Sequence, residues 1–374
     1  MERPPFAVLD QILAFWPYLA AVLDVSIALV ASGHAVLYKR DTRSAIGWVG
    51  LIWLRRAVSR RVEVRVLIDD VGARYTWRPT TWRTMPRLLR QAGIPVAEFL
   101  PALIPWRFQY TNLRTHRKIM VVDGKTGFTG GINIHEGNCL ELQPRHPVQD
   151  LHFRVTGPVV AELQEVFADD WAFCTGELLE GEPWFSDIEP EGLVLARGIA
   201  NGPDEDFERL RLTILGAIAC ARSSVLVVTP YFLPDASLIA ALNIAAMRGI
   251  RVDIVLPTEN DLALVKWAST ALLGQVLERG CRVWLSPPPF DHTKLMLVDE
   301  LWTLLGSTNW DPRSLRLNFE FNVECYDREL ATSLTDLVRS KMEQARPVSL
   351  ADVDGRSVAT KLRDGVARLF SPYL

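Results

Sequence analysis

Residues 115–133 read THRKIMVVDGKTGFTGGIN, and residues 291–309 read DHTKLMLVDELWTLLGSTN. Both stretches spell H-x-K-x4-D, then six residues, then G-[GS]-x-N. The pattern places His116, Lys118, Asp123, Gly130 and Asn133 beside His292, Lys294, Asp299, Gly306 and Asn309. The chain holds only six histidines and seven lysines, so a repeated motif built from those two scarce residues marks an internal duplication and not a coincidence of composition. The flanks agree, since VEVRVLIDD (62–70) precedes the first copy as RVDIVLPT (251–258) precedes the second. Each is a β-branched, strand-like run.

Working outward, PVVAELQEVFADDWAFCT (158–175) has helical spacing opened by a proline, and 207–222 and 235–249 are further amphipathic helices. Strands such as SVLVVTPYF (224–232) and CRVWLSP (281–287) alternate with them. Helices interleaved with apolar strands give an α/β layered fold, here two duplicated units expected to pack as a pseudo-twofold pair. The expected boundaries are an N-terminal part over 1–57, a first unit over 58–195 and a second over 196–374. One asymmetry stands out. The second copy has a helix, a strand and another helix over 207–247 before RVDIVLPT, whereas the first has only 45–61 before VEVRVLIDD. The first unit is therefore expected to lack about forty residues that its twin possesses, leaving a sheet edge uncovered.

The 374 residues carry 41 Lys and Arg against 44 Asp and Glu, a net charge of −3, with 49% hydrophobic residues. That balance excludes a disordered chain and a basic nucleic-acid-binding domain. Five widely spaced cysteines with no C-x-x-C pair indicate neither a disulfide framework nor a zinc site, and read as reduced thiols. Residues 12–32 (ILAFWPYLAAVLDVSIALVAS) are interrupted only by Asp24, long enough for one transmembrane helix. Tyr38, Lys39, Arg40 and Arg43 follow it, which places the rest of the chain on the cytoplasmic side of a membrane. AIGWVGLIWL (45–54) is too short to span alone and reads as interfacial or as the stump of a second span.

On a strand, positions i and i+2 share a face, so His116 with Lys118 and His292 with Lys294 each pair an imidazole with an ammonium. Asp123 and Asp299 fall on the opposite parity and are expected to pin the backbone. Two histidines, two lysines and two asparagines meeting between matched halves suit a phosphate diester. One neutral imidazole attacks phosphorus and the other, protonated, gives its proton to the departing alkoxide. Lysines and amides hold the oxygen charge that otherwise falls to a metal, so no metal and no cofactor is expected.

The duplicated motif resembles the mark of the phospholipase D superfamily and, within it, of the bacterial cardiolipin synthases. DLHFRVTGPVVAELQEVFADDW (150–171), TPYFLPDASLIAALNIAAMRGIRV (229–252), GSTNWDPRSLRLNFEFNVE (306–324) and SGHAVLYKRDTRSAIGWVGLIWL (32–54) carry the likeness over nearly the whole chain. The resemblance implies a covalent phosphatidyl-histidine, with His116 as nucleophile and His292 as acid and then base. It implies an orienting carboxylate behind each histidine, at Asp150 and Glu320, and a pocket wall that includes Tyr231. It also implies an enzyme at the bacterial inner membrane that condenses two phosphatidylglycerols into cardiolipin and glycerol. Hydrolysis by the same histidines and an inactive homologue remain open alternatives. Against the family's pattern, AIGWVGLIWL is joined almost directly to RRVEVRVLIDD, which fits the shortfall between the repeats.

Overall fold

Residues 42–69, 85–101, 112–182 and 184–371 are described by the structure, a computed structural model. The apolar segment 12–32 lies outside them, and among the described residues no helix is long and apolar enough to cross a membrane. The first half contains α1 (Thr42–Ser59), β1 (Val66–Asp69), α2 (Met85–Gln91), β2 (Val96–Phe99), β3 (Arg114–Thr115), β4 (Ile119–Val122), β5 (Thr126–Gly130), β6 (Val148–Gln149), β7 (His152–Thr156) and α3 (Val159–Thr175). The second contains β8 (Leu195–Asn201), α4 (Arg209–Cys220), β9 (Ser224–Val228), α5 (Ala236–Met247), β10 (Arg251–Pro257), α6 (Ala263–Leu277), β11 (Arg282–Ser286), β12 (Phe290–Asp291), β13 (Leu295–Val298) and β14 (Trp302–Gly306). It continues with α7 (Pro312–Arg316), β15 (Asn318–Tyr326), α8 (Arg328–Gln344), β16 (Arg346–Val348), α9 (Leu350–Asp354) and α10 (Val358–Leu369).

The sequence patterns become elements for local reasons. Asp235 caps α5 by accepting from the backbone of Ser237 and Leu238, and Asp327 caps α8 by accepting from Leu330. Gly176, left-handed at φ +77°, ends α3. The second half's sheet runs β16-β11-β10-β9-β13-β14-β15, with β8 also on β15. Leu210, Ile214 and Leu238 of α4 and α5 bury against one face of it. Val159 and Leu163 of α3 and Leu334 and Val338 of α8 bury against the other.

From α5 to α8 the main elements of the second half have counterparts in the first, whereas β16, α9 and α10 beyond them have none among the described residues. The parallel pair β1–β2 matches β10–β11, the hairpin β4–β5 matches β13–β14, and β7 followed by α3 matches β15 followed by α8. The expected shortfall is smaller than a helix, a strand and a second helix. At the end of α1, Val62 N–H donates to Ala57 O at 3.1 Å across left-handed Arg61, just as Ile250 N–H donates to Ala245 O at 3.1 Å across left-handed Gly249 after α5. α1 thus occupies the place of α5. The stretch 45–54, read as interfacial, lies within this helix, whose Leu51, Leu54 and Val58 pack on Leu88, Leu89, Val66 and Ile68.

Ahead of β10, α4 with β9 has no counterpart among the described residues. The consequence is visible in the sheet, because β9 pairs parallel with β10 and antiparallel with β13 and so joins the two parts of the second half. In the first half, β1–β2 and β4-β5-β7 stay separate sheets. Met296 and Val298 of β13 are buried under α4 and α5, whereas their counterparts Met120 and Val122 are 45% and 43% exposed.

Two parallel strand pairs cross between the halves. β3 pairs with β15 (Asn318↔Arg114, Phe319↔Thr115), and β12 pairs with β6 (Phe290↔Val148, Asp291↔Gln149). Each ends one residue short of a motif histidine.

Candidate active site

Neither His-x-Lys segment lies in a regular strand. Each occupies the three residues between a crossing pair and the hairpin that follows. His116 N–H donates to Phe319 O at 2.8 Å, and His292 N–H donates to Gln149 O at 2.7 Å, so each motif backbone is fixed to the opposite half. The strand parity expected for His and Lys is replaced by a tighter arrangement. Lys118 Nζ folds back to donate to His116 O at 2.8 Å, and Lys294 Nζ donates to His292 O.

The same crossing delivers the carboxylates. Glu320 follows Phe319 on β15, and both its oxygens meet His116 Nδ1, at 3.0 and 2.9 Å. Asp150 follows Gln149 on β6 and meets His292 Nδ1 at 2.7 Å. Each imidazole is therefore oriented by a fully buried carboxylate from the other half. Glu320 also accepts from Ser307 Oγ at 2.5 Å and from Asn318 Nδ2 at 3.2 Å, while Asp150 accepts from Leu151 N–H at 2.8 Å. Arg117 braces the first side, donating to Glu320 O at 3.2 Å and to Asp170 at 2.6 Å.

Electrostatics follow from burial. Desolvation lowers His116 despite Glu320, and it pushes His292 down to about 4, with the nearby Lys294 adding to the effect and Asp150 opposing it. Both rings are thus neutral at neutral pH. Burial also pulls the Lys118 ammonium down to about 8 against the attraction of Glu320, and lowers Lys294. Burial acts to raise both carboxylates, yet the partners that donate to or charge-pair with them hold each below its ordinary value: His116 and Lys118 for Glu320, Lys294 and His292 for Asp150. Lys118 is within electrostatic reach of Asp150 and Lys294, and His292 of Lys118, so the two motifs share one site.

The halves are not identical. His292 Nδ1 faces both Asp150 and, at 2.7 Å, Lys294 Nζ. A nitrogen holding a proton toward Asp150 cannot also accept from Lys294, so this ring can switch its proton between the two nitrogens. His116 Nδ1 faces only the two oxygens of Glu320, which fixes its proton there and leaves the Nε2 lone pair free.

The remaining expected residues divide. Asp299 lies at the far end of β13, accepting from the backbone N–H groups of Arg222, Ser223 and Ser224 at 2.7 to 2.9 Å, and it anchors the start of β9. Asp123, at the matching left-handed position, is exposed, because the strand its twin anchors has no counterpart among the described residues. Neither aspartate joins the imidazoles. Asn309 is buried with its Oδ1 unpaired, whereas Asn133 is exposed. Tyr231 meets His292 edge to face, ring centroids 6.1 Å apart, and donates to Asp261 at 2.8 Å. Among the described residues, no three His, Cys, Asp or Glu side chains converge as a metal ligand set.

Over residues 51–171 and 214–342 the chain matches the family described as cardiolipin synthase, PLD-like domain. The chain belongs to this family. It is 36% identical over 324 residues to cardiolipin synthase A of Pseudomonas putida and 34% identical over 316 residues to the major cardiolipin synthase ClsA of Bacillus subtilis. The alignments take in 86% and 84% of this chain but only 65% and 64% of those relatives, so the chain spans about two thirds of their length. In fold it is similar to phosphatidylserine synthase from Haemophilus influenzae, at 15% identity and a TM-score of 0.63, over 84% of this chain and 83% of that one.

Three contributors, Ser307, Arg117 and Asp170, escaped the sequence reading of this cardiolipin synthase family member. Ser307, which donates to Glu320, has Gly131 as its counterpart, and a Cβ at Gly131 would stand 2.2 and 2.4 Å from the oxygens of Asp150. The second letter of G-[GS] was the signal, since it differs between the two copies, glycine beside Asp150 and serine beside Glu320. Arg117 and Asp170 gave no signal, because their pairing spans 53 residues.

Proposed function

We propose that the chain is a membrane-associated phosphatidyl transferase that makes cardiolipin from two phosphatidylglycerol molecules and releases glycerol. The observation that carries this reading is the crossed pair of histidine and carboxylate contacts, His116 with Glu320 and His292 with Asp150, flanked by the half-buried Lys118 and the buried Lys294. His116 Nε2 attacks the phosphorus of a bound phosphatidylglycerol. The bond from phosphorus to the glycerol headgroup oxygen breaks, and protonated His292 gives that oxygen its proton. The diester's negative charge raises the proton affinity of His292 above its resting level, and the lysines offset charge on the phosphoryl oxygens. His292, now neutral, accepts the proton of a headgroup hydroxyl on a second phosphatidylglycerol. That oxygen attacks phosphorus, the P–N bond breaks, cardiolipin leaves, and His292 is protonated as at the start.

The fixed tautomer of His116 supports its assignment as nucleophile, and the two-way Nδ1 of His292 supports its role in moving the proton. Asn309, with an unpaired oxygen in a buried position, suits substrate binding, and Tyr231 suits the pocket wall beside His292. The two-unit arrangement with boundaries near 58 and 196 and a spanning segment over 12–32 that brings the site to a cytoplasmic membrane surface belong to the same reading. That β9 has no counterpart among the described residues of the first half does not argue for an inactive homologue, because the site is held by β3 on β15 and β6 on β12.

Brief exposure of the purified chain to phosphate-labelled phosphatidylglycerol should leave acid-labile label on histidine, abolished by His116→Asn, and longer incubation should yield labelled cardiolipin. Phosphatidic acid as the sole product would replace transfer with hydrolysis. No label in a preparation that still consumes lipid would overturn the covalent route.

A further inference from the structure

α10 is packed with its amphipathicity reversed. α8 buries its apolar stripe, Ala331, Leu334 and Val338, as a helix on a core should. α10 instead turns Asp364 and Ala367 inward and leaves Val358, Leu362, Val366 and Leu369 outward at three- and four-residue spacing, with Phe370 just beyond. These five side chains are 47 to 82% exposed. Asp364 is satisfied by Arg356 and Arg363, and the Arg363 guanidinium lies 4.4 Å from the centroid of the Trp267 ring on α6, so the inward face is specifically held. The outward orientation is therefore built in.

The stripe has a charged border and a definite position. Lys361 and Arg368 line one edge of it, and among the described residues neither pairs with a carboxylate. Val353 lies beside Gly274 near the end of α6, and Arg363 lies over Trp267 nearer its start. α10 thus runs antiparallel to α6 and carries Leu369 and Phe370 toward the end of α6 where Leu262 and Leu264 are also exposed. Asp261, next to Leu262, accepts from Tyr231, whose ring meets His292. The first residues of α6 and the loop before it, Asp261 to Leu264, thus connect the far end of the stripe to the wall of the site through Tyr231.

We propose that α10 docks flat on an anionic phospholipid surface, sinking Val358, Leu362, Val366, Leu369 and Phe370 below the headgroups while Lys361 and Arg368 meet the phosphates. A twelve-residue helix of about 18 Å with an apolar stripe and a basic edge suits an interfacial helix and is too short to span. Its role is to hold the mouth beside Tyr231 at the level of lipid headgroups, separately from any N-terminal anchor. This rests on the proposed lipid substrate only for its purpose, and the first arm of the test does not depend on catalysis.

The full chain carrying p-benzoylphenylalanine in place of Leu362 or of Val366 is reconstituted in vesicles containing labelled phosphatidylglycerol and irradiated. Lipid adducts are expected at both positions and none at Glu343 on α8, in the opposite layer. Absence of lipid adducts, or crosslinks to protein instead, would overturn the proposal, the latter showing a second copy or another part of the chain on this face. In the second arm, the combined Leu362→Glu, Val366→Glu and Leu369→Glu variant should lose at least tenfold in rate on phosphatidylglycerol vesicles. Its rate on the same lipid in detergent micelles should stay within twofold. Equal losses in both formats would also refute it.

Discussion

Gly131 offers a sharp test of how the second histidine is oriented. A Cβ there would lie 2.2 and 2.4 Å from the Asp150 oxygens and 2.6 Å from its Cγ. Contacts so short require movement, and Asp150 cannot move and keep both its 2.7 Å contact with His292 and its 2.8 Å bond from Leu151 N–H. Gly131→Ala should therefore expel the carboxylate from the imidazole without altering either histidine. Removing the orienting partner of an acid–base histidine lowers turnover by about 10² to 10⁴, or about 3 to 5 kcal/mol in barrier. The assay is conversion of labelled phosphatidylglycerol to cardiolipin, measuring kcat and KM separately, with thermal unfolding as a check on folding. KM should change little, and Ser307→Ala, which removes only one donor to Glu320, should cost no more than about tenfold. Combining Gly131→Ala with Asp150→Asn should be no worse than the more damaging single change, since both act on one contact. If Gly131→Ala keeps more than half the wild-type kcat in a folded protein, or if the two effects multiply, the contact does not orient His292.

Stability should respond to acid first through histidine. His116, His152 and His292 are held neutral by burial, the latter two at about 4, while an unfolded histidine titrates near 6.5. The unfolded chain then binds more protons between those values, so stability should be complete above pH 6.5 and fall as pH drops toward 4; a thermal-unfolding series that is flat across this window contradicts it. On the alkaline side, Lys118 at about 8 should lose its proton and weaken binding of the anionic lipid, raising KM above that pH, and Lys118→Arg should move this limb to higher pH if it still binds. The incomplete first half predicts unequal twins: Met296→Ala should destabilise by about 2 to 5 kcal/mol and Met120→Ala by no more than about 0.5, read from denaturant midpoints. Similar losses at both would mean that Met120 is covered after all.

Much of this site was legible because it is written twice. Scarce His and Lys at one spacing named the side chains that meet at the crossing of the halves, and the glycines at 130 and 306 followed from the same register. Asp123 and Asp299 both lie away from the imidazoles, although not through strand parity, since neither His-x-Lys segment is a regular strand, and only Asp299 pins the backbone, by tying down β9. Comparing the copies also exposed the shortfall, although 45–54 looked too apolar for an ordinary helix and its kinship with α5 was missed. The signal was a shared turn, Arg61 matching Gly249, and an arginine in a left-handed turn disguises it.

Local spacing and side-chain periodicity, then, determined the layered α/β class, the duplication and the identity of the two histidines and lysines, because those properties depend on neighbours within a turn or a strand. Which carboxylate serves which histidine was decided only by the tertiary structure. Glu320 is 204 positions from His116 and Asp150 is 142 from His292, and each pair forms because a short parallel strand of one half adds to a strand of the other. Hydrogen bonding between remote backbones leaves no period in the sequence, and the outward turn of α10 is hidden for the same reason: its pattern shows two faces, and only packing chooses which one the protein keeps.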